Sequence, residues 1–266
     1  MITKSKPLPP HKPSTRQAGR IQLISLPGLP EIRKGDDLAR MIFQAAISAG
    51  IAFEKNDVVV VAQKIVSKAE GCVVQLSSVK PSPNARKLAA ALKKDPRFIE
   101  LILRQTRRIV RSEHVLIVET HHGFVCANGG VDRSNVPGCD SVAVLPKDPD
   151  KSARNLAAAL KKLSGKTVAV ILSDTFGRPW RLGLTNVAIG AAGIPVLRDL
   201  RGQRDRNRKR LHATILAVAD EIATAAGLLM GKSDGTPVVI VRNYSYRPRN
   251  DRAARIVRPP DEDLFR

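Results

Sequence analysis

Aromatic residues make up only 3% of this 266-residue chain, too few for the stacking platform on which single-stranded nucleic acids are held. Cysteines number three, Cys72, Cys126 and Cys139, with no CxxC spacing. That count suggests neither a disulfide framework nor a zinc site, and it fits a reducing cytoplasm. No apolar run is long enough for a membrane span, since the longest, Ile215 to Met230, is interrupted by Asp220 and Glu221. No secretory leader is expected either, because Lys4, Lys6, Lys12, Arg16 and Arg20 have no apolar stretch behind them. Acidic residues are scarce, 24 against 45 lysines and arginines, leaving a net charge of +21. Two readings of that excess stand: an anionic partner, or a surface decorated by arginine-rich coding. The cations crowd the N-terminal tail, the segment 198–210 and the stretch from Arg242 onward. No zinc-finger, helix-turn-helix, RRM or KH pattern accompanies them, so nucleic-acid binding would rest on electrostatics alone.

Hydrophobic residues are 43% of the chain, a globular composition with length for one large core or two modest lobes. Residues 1–20 are basic and proline-rich and read as a flexible tail. Asp36-Asp37 caps a helix with Leu38, Met41, Ile42, Ala45 and Ala46 on one face, ending at Gly50. Val58 to Val61 is a buried strand. Helix is predicted over 84–111 with a break at Asp95-Pro96, followed by strands at 115–118, 124–127 and 142–145. A helix capped near Asp150 stops at Gly165, and a strand follows at 167–172. A short strand at 195–197, a long helix over 211–230 and a strand at 238–241 complete the pattern, with a tail from Tyr244. Helices and strands interleave without a regular βα period, so the class is mixed α+β.

Two polar clusters stand where apolar strands run out: 122–135, His-Gly-Phe-Val-Cys-Ala-Asn-Gly-Gly-Val-Asp-Arg-Ser-Asn, and 173–178, Ser-Asp-Thr-Phe-Gly-Arg. Glycines allow close backbone approach, and Asp and Thr offer the hard oxygens that Mg²⁺ or Mn²⁺ prefers. Facing each other, they would make a metal–phosphate site; taken singly, they are ordinary turns. Lys68, beyond the Val58 strand, suits a phosphate point charge or a solvated edge, with Glu70 to fix it. His121 and His122 would point to opposite faces of a strand and do not chelate together. Asp220-Glu221 is either a polar stripe facing solvent or a subunit, or a buried pair in need of partners. The segment 226–233 nearly matches a P-loop but ends a helix, so Gly231 is read as a C-cap.

Taken in order, Gly28-Leu29-Pro30, Ile65-Val66-Ser67-Lys68-Ala69-Glu70-Gly71, Gly130-Val131-Asp132-Arg133-Ser134-Asn135, Ser173-Asp174-Thr175-Phe176-Gly177-Arg178, Val187-Ala188-Ile189-Gly190 and Val218-Ala219-Asp220-Glu221-Ile222 resemble the coenzyme F(420)-0:γ-glutamyl ligase family. These are GTP-dependent enzymes that add glutamate to a deazaflavin coenzyme. The resemblance covers 21–242, leaving the tails 1–20 and 243–266 outside the ligase domain. It implies a two-lobed α+β fold peculiar to the family, an intertwined homodimer, and GTP-driven amide formation through an acyl phosphate. It also implies Mn²⁺ or Mg²⁺, with K⁺ as a further cation, and F(420)-0, L-glutamate and GTP as substrates. Carried over by position, Asp132, Asp174 and Thr175 are metal ligands, and Lys68, Asp132 and Asp174 carry catalysis. Gly28, Leu29, Pro30, Glu31, Gln63, Lys64, Lys68 and Asn135 bind the nucleotide. Gln63 and Lys64 stand where relatives place small hydroxyl residues, and Lys232 where they place Gln or Glu. A ligase for another acceptor or amino acid, or a basic nucleic-acid-binding protein, are the alternatives.

Overall fold

Four consecutive valines, Val58 to Val61, lie fully buried at the centre of the fold. Their β-branched side chains favour an extended backbone, and burial on both faces explains why the run does not alternate with polar residues. The computed structural model describes residues 19–232 and 234–263. Its first half runs β1 (Gln22–Ser25), α1 (Leu38–Ser48), β2 (Val58–Ala62), α2 (Gln63–Ala69), β3 (Val73–Gln75), α3 (Pro83–Leu92), α4 (Pro96–Gln105), β4 (Thr106–Arg111), β5 (Ile117–Thr120) and β6 (Val125–Ala127). Then come β7 (Ser141–Ala143), α5 (Pro149–Ser164), β8 (Ala169–Arg178), β9 (Arg181–Ala192), β10 (Arg198–Asp199), β11 (Ile215–Leu216), α6 (Val218–Met230) and β12 (Val238–Arg242). The fold is mixed α and β, as expected.

The main sheet has the order β1-β12-β2-β8-β9, in which only β2 and β8 run parallel. Val59 and Val61 face one core with Leu38, Ile42, Leu156 and Leu160 of α1 and α5. Val58 and Val60 face the other, with Ile222 and Ala226 of α6. A separate core joins α3 and α4 to Leu116, Val118, Val131 and Val142, around the small sheets β4-β5-β6 and β3-β7. Asp57, 1% exposed, closes the start of β2 by accepting from the Arg242 guanidinium at 3.0 and 2.8 Å. Among the described residues, no helix is long and apolar enough to cross a membrane.

Several elements depart from the sequence reading. The Ser173–Arg178 cluster is not a loop: β8 continues through it, because β9 supplies a partner for each residue from Ser173 to Gly177. Residues 187–192 belong to that partner strand, and in place of the short strand expected at 195–197 the next strand is β10, Arg198–Asp199. Helix was expected to Arg111, but it ends at Gln105, and Thr106–Arg111 pairs with β5. The helix expected from Leu211 starts at Val218, since 198–216 forms an exposed basic ribbon closed by β10 and β11. The cap of α5 is Asp148; Asp150 is buried and accepts the N–H groups of Ala191 and Ala253.

The segment after Arg242 also differs from the expected tail. Tyr244, Tyr246 and Ile256 pack on the α6 side of the sheet beside fully buried Ala253. Spaced apolar side chains among the arginines allow this, and composition averaged over the segment hid them. Of the N-terminal tail expected over residues 1–20, residues 1–18 lie outside the described residues, as do residues 264–266. Cys72, Cys126 and Cys139 are unpaired.

Candidate functional site

The parallel strands β2 and β8 end together, with Ala62 opposite Ser173 as the last pair in register. Ligands of open α/β sheets bind beyond such carboxyl ends. The chain leaving β1 and the chain entering β12 reach the same end of the sheet, where Leu26 N–H donates to the Val238 carbonyl and Ala62 N–H to that of Pro237. A cleft of about 440 Å³ opens there. Its walls come from the loop Leu29–Ile32, the start of α2, the loop at Asn135, the β8 segment Ser173–Thr175 and the turn at 235–237. Helix α2 places Gln63, Lys64 and Lys68 on the cleft, while Ile65 and Val66 anchor it in the core.

Charge is arranged in pairs within the cleft. The Lys64 ammonium lies 2.6 Å from Asp132 Oδ2 and also donates to Ser134 Oγ. Asp132 further accepts the Ser134 N–H and hydroxyl at 2.8 and 2.9 Å. Desolvation works against the Asp132 charge, but Lys64 and Ser134 outweigh it and hold the carboxyl below its ordinary pKa. Asp174 is the opposite case. Burial pushes its carboxyl up to about 6 against the pull of the Thr175 N–H, while Lys64 and Lys232 lower it and Asp132 raises it. Lys232 Nζ donates to Thr175 Oγ1 at 2.8 Å, and Asn135 Nδ2 to the Lys232 carbonyl at 3.0 Å. Lys68 is 7% exposed, and its ammonium meets Glu31 Oε1 at 2.6 Å.

These groups fit a divalent cation held together with phosphate. Two carboxylates and a hydroxyl are hard oxygen donors. No cluster of three or more His, Cys, Asp or Glu side chains suited to a metal exists among the described residues, so an all-protein cage is not on offer. One or two carboxylates completed by substrate phosphates is the usual arrangement for Mg²⁺. Two polar atoms on the floor, Gln63 Nε2 and Ser173 Oγ, are buried without a partner. The Ser67 hydroxyl lies 2.8 Å from Gln63 Oε1 and 2.7 Å from the Val144 carbonyl, with one proton to serve the two. Such orphaned groups are costly unless a ligand satisfies them.

The structure brings Leu29, Pro30, Glu31, Gln63, Lys64, Lys68, Asn135, Asp174 and Thr175 to this one cleft. Asp132 reaches it through Lys64. Gly28 precedes the lining residues, with a φ of +80° that suits glycine, and is not part of the wall. Lys68 sits near the end of α2, buried and not on a solvated edge, and its ion pair is with Glu31 and not with Glu70, whose carboxylate accepts from the Ser152 hydroxyl. His121 and His122 diverge onto the carbonyls of Arg104 and Pro146. Asp220 has its partner in the Ala188 N–H, whereas Glu221 is exposed. The sequence reading missed Asn186, Met230 and Thr236 as wall residues. The Gly235-Thr236-Pro237 turn before β12 was the available signal for the last.

A family model described as F420-0:Gamma-glutamyl ligase matches residues 28–243. Coenzyme F420:L-glutamate ligase of Methanothermobacter thermautotrophicus is 45% identical over 251 residues, 92% of this chain and 99% of that protein. The protein of the same name from Methanopyrus kandleri is 47% identical over 244 residues, 89% and 94% of the two chains. That from Methanocaldococcus jannaschii is 39% identical over 255 residues, 94% and 99%.

Proposed function

Because the chain belongs to the F420-0:gamma-glutamyl ligase family, a ligase family of coenzyme F420 biosynthesis acting on F420-0 and L-glutamate, we propose that it drives this ligation with GTP through an acyl phosphate. The carboxylate oxygen of the acceptor attacks the γ-phosphorus of GTP, and GDP leaves. The α-amine of glutamate then attacks the acyl carbon. Phosphate departs with the former carboxylate oxygen, and the amine sheds its proton. The observation that supports this reading is the convergence of Lys68, Asp174 and Thr175 at one end of the parallel strands, with Asp132 joined to them through Lys64.

Phosphoryl transfer depends chiefly on positioning and on neutralising phosphate charge. Asp132, Asp174 and Thr175 would hold the Mn²⁺ or Mg²⁺, which, when bound, supplies Lewis-acid stabilisation of phosphate oxygens. Lys68 needs only to exchange the exposed Glu31 carboxylate for a phosphate, a short move for an ammonium on a flexible stem. The unspent donors Gln63 Nε2 and Ser173 Oγ suit phosphate or carboxylate oxygens. Ile32, Ile65 and Met230 give the cleft an apolar stretch of wall. K⁺ is proposed as a further cation. The overall charge of +21 draws in substrates that are all anionic.

A homodimer is proposed as the working form, within a family-specific two-lobed fold and in the cytoplasm. The β8–β9 arm supports the dimer: Trp180, Leu182 and Leu184 are exposed near its tip, Leu182 by 99%, and apolar exposure of that kind marks contact surfaces. The test of function is mass spectrometry of the product formed from F420-0, GTP, L-glutamate and Mn²⁺. An increment of one glutamyl residue, or of several, with one GDP released for each, bears the reading out. No mass change with intact, folded protein refutes it.

A further inference from the structure

Lys64 stands where the proposed metal site needs a cation. Its stem rises from the first turn of α2, its side chain is 15% exposed, and its ammonium is fixed on Asp132 Oδ2 and Ser134 Oγ. Asp132 Oδ2 receives a second bond from the Ser134 hydroxyl, and Oδ1 receives the Ser134 N–H. One lone-pair direction on Oδ1 is therefore all that Asp132 keeps in reserve. The same ammonium acts on Asp174. Lys232 repeats the arrangement at Thr175, whose hydroxyl accepts its ammonium. Each end of the oxygen donor set is thus engaged by a lysine.

We propose that Lys64 is a built-in counter-ion that keeps a divalent cation off Asp132 until a polyphosphate draws its ammonium away. The inference rests on the metal and nucleotide reading above and adds an order to it: metal enters with, or after, nucleotide. A dication ligating Asp132 Oδ2 has to displace the ammonium or share an oxygen with it, and the two positive charges repel. A polyphosphate offers that ammonium several anionic oxygens within the sweep of its four-carbon stem, so leaving Asp132 becomes favourable once nucleotide is present. Arginine or a neutral residue would not serve as well. The guanidinium is a planar fork better suited to staying on a carboxylate, and a neutral side chain leaves the carboxylates open to any dication.

The test is binding of Mn²⁺ alone, followed by its electron paramagnetic resonance signal, to wild-type protein and to Lys64→Met without nucleotide. A neighbouring opposite charge changes proton affinity at a carboxylate by about one to three powers of ten, and a metal competing for the same oxygen feels the same field. Lys64→Met is therefore expected to bind Mn²⁺ at least about tenfold more tightly than wild type, and the double variant with Asp174→Asn to lose that gain. Adding GTP should tighten Mn²⁺ binding to wild type far more than to Lys64→Met. Circular dichroism and thermal melting confirm that the variants are folded, and Lys232→Met, at an exposed position, provides a second comparison at Thr175. Equal Mn²⁺ affinity of folded wild type and Lys64→Met overturns the inference and leaves the proposed function standing. Absence of Mn²⁺ binding in all variants, with and without GTP, overturns both.

Discussion

Replacing Asp174 by asparagine should make the metal-free protein more stable while removing its activity. Burial raises the Asp174 carboxyl from 3.8 to about 6. At 1.36 kcal/mol per pH unit, keeping the charge in the folded protein costs about 3 kcal/mol at neutral pH. The sign follows from linkage. Between the unfolded value of 3.8 and the folded value of about 6, the native state binds more protons than the unfolded chain. Stability therefore falls as pH rises through that window and stays reduced above it. Asparagine has nearly the same shape and no charge, so Asp174→Asn should gain up to about 3 kcal/mol at pH 7.5, or roughly 6–12 °C in Tm for a chain of this size. The gain should fade as pH drops through 3.8 and vanish near about pH 3, where Asp174 is protonated in both states. Chelator-treated protein melted at pH 7.5 and about pH 3 gives the measurement, and GDP release with Mn²⁺ gives the activity. A variant that is less stable at pH 7.5, or that turns over GTP at the wild-type rate, refutes the reasoning.

Three further outcomes follow from the same geometry. Lys68→Met, which keeps the buried stem, should weaken GTP binding by about 10- to 100-fold, the worth of one charge-assisted contact, with little change in Tm because it releases only the exposed Glu31 carboxylate; titration calorimetry decides it. Arg242→Ala leaves buried Asp57 without its two guanidinium bonds and should cost about 3–5 kcal/mol in urea unfolding. Gly190→Ala would set a Cβ 2.4 Å from the Pro149 carbonyl oxygen, forcing β9 from α5 at a cost of about 1–3 kcal/mol, read from the same denaturant curves.

The parts of this fold legible in the sequence are those with one dominant local signal. The valine run, the Asp37 cap of α1 and the Gly165 stop of α5 each follow from a single physical rule, and each is present. What escaped depends on partners distant in sequence. Nothing in Ser-Asp-Thr-Phe-Gly-Arg says that β9 will pair with it, so the cluster looked like a loop. The helix α2 has only seven residues, and its Ile-Val pair resembles the strand before it. The burial of Tyr244, Tyr246 and Ala253 depends on a sheet face built mostly by residues far upstream.

The candidate site was readable as a set of residues but not as an arrangement. Asp132, Asp174, Thr175 and Lys68 could be picked out in sequence, whereas their pairing with Lys64, Lys232 and Glu31 required the folded chain. The orphaned amide of Gln63 is of the same kind. Its burial and the Ser67 contact that orients it are products of helix packing, and no spacing announces them.

The most direct test of the account is oxygen transfer during turnover. F420-0 carrying ¹⁸O in its reacting carboxylate is incubated with the protein, unlabelled GTP, L-glutamate and Mn²⁺, and the released phosphate is analysed by mass spectrometry. An acyl phosphate requires one ¹⁸O atom in the phosphate released with the first amide bond, while any later addition draws its oxygen from the unlabelled carboxylate of the glutamyl residue before it. First-round amide formation with unlabelled phosphate, or phosphate release that does not depend on the acceptor, would contradict it.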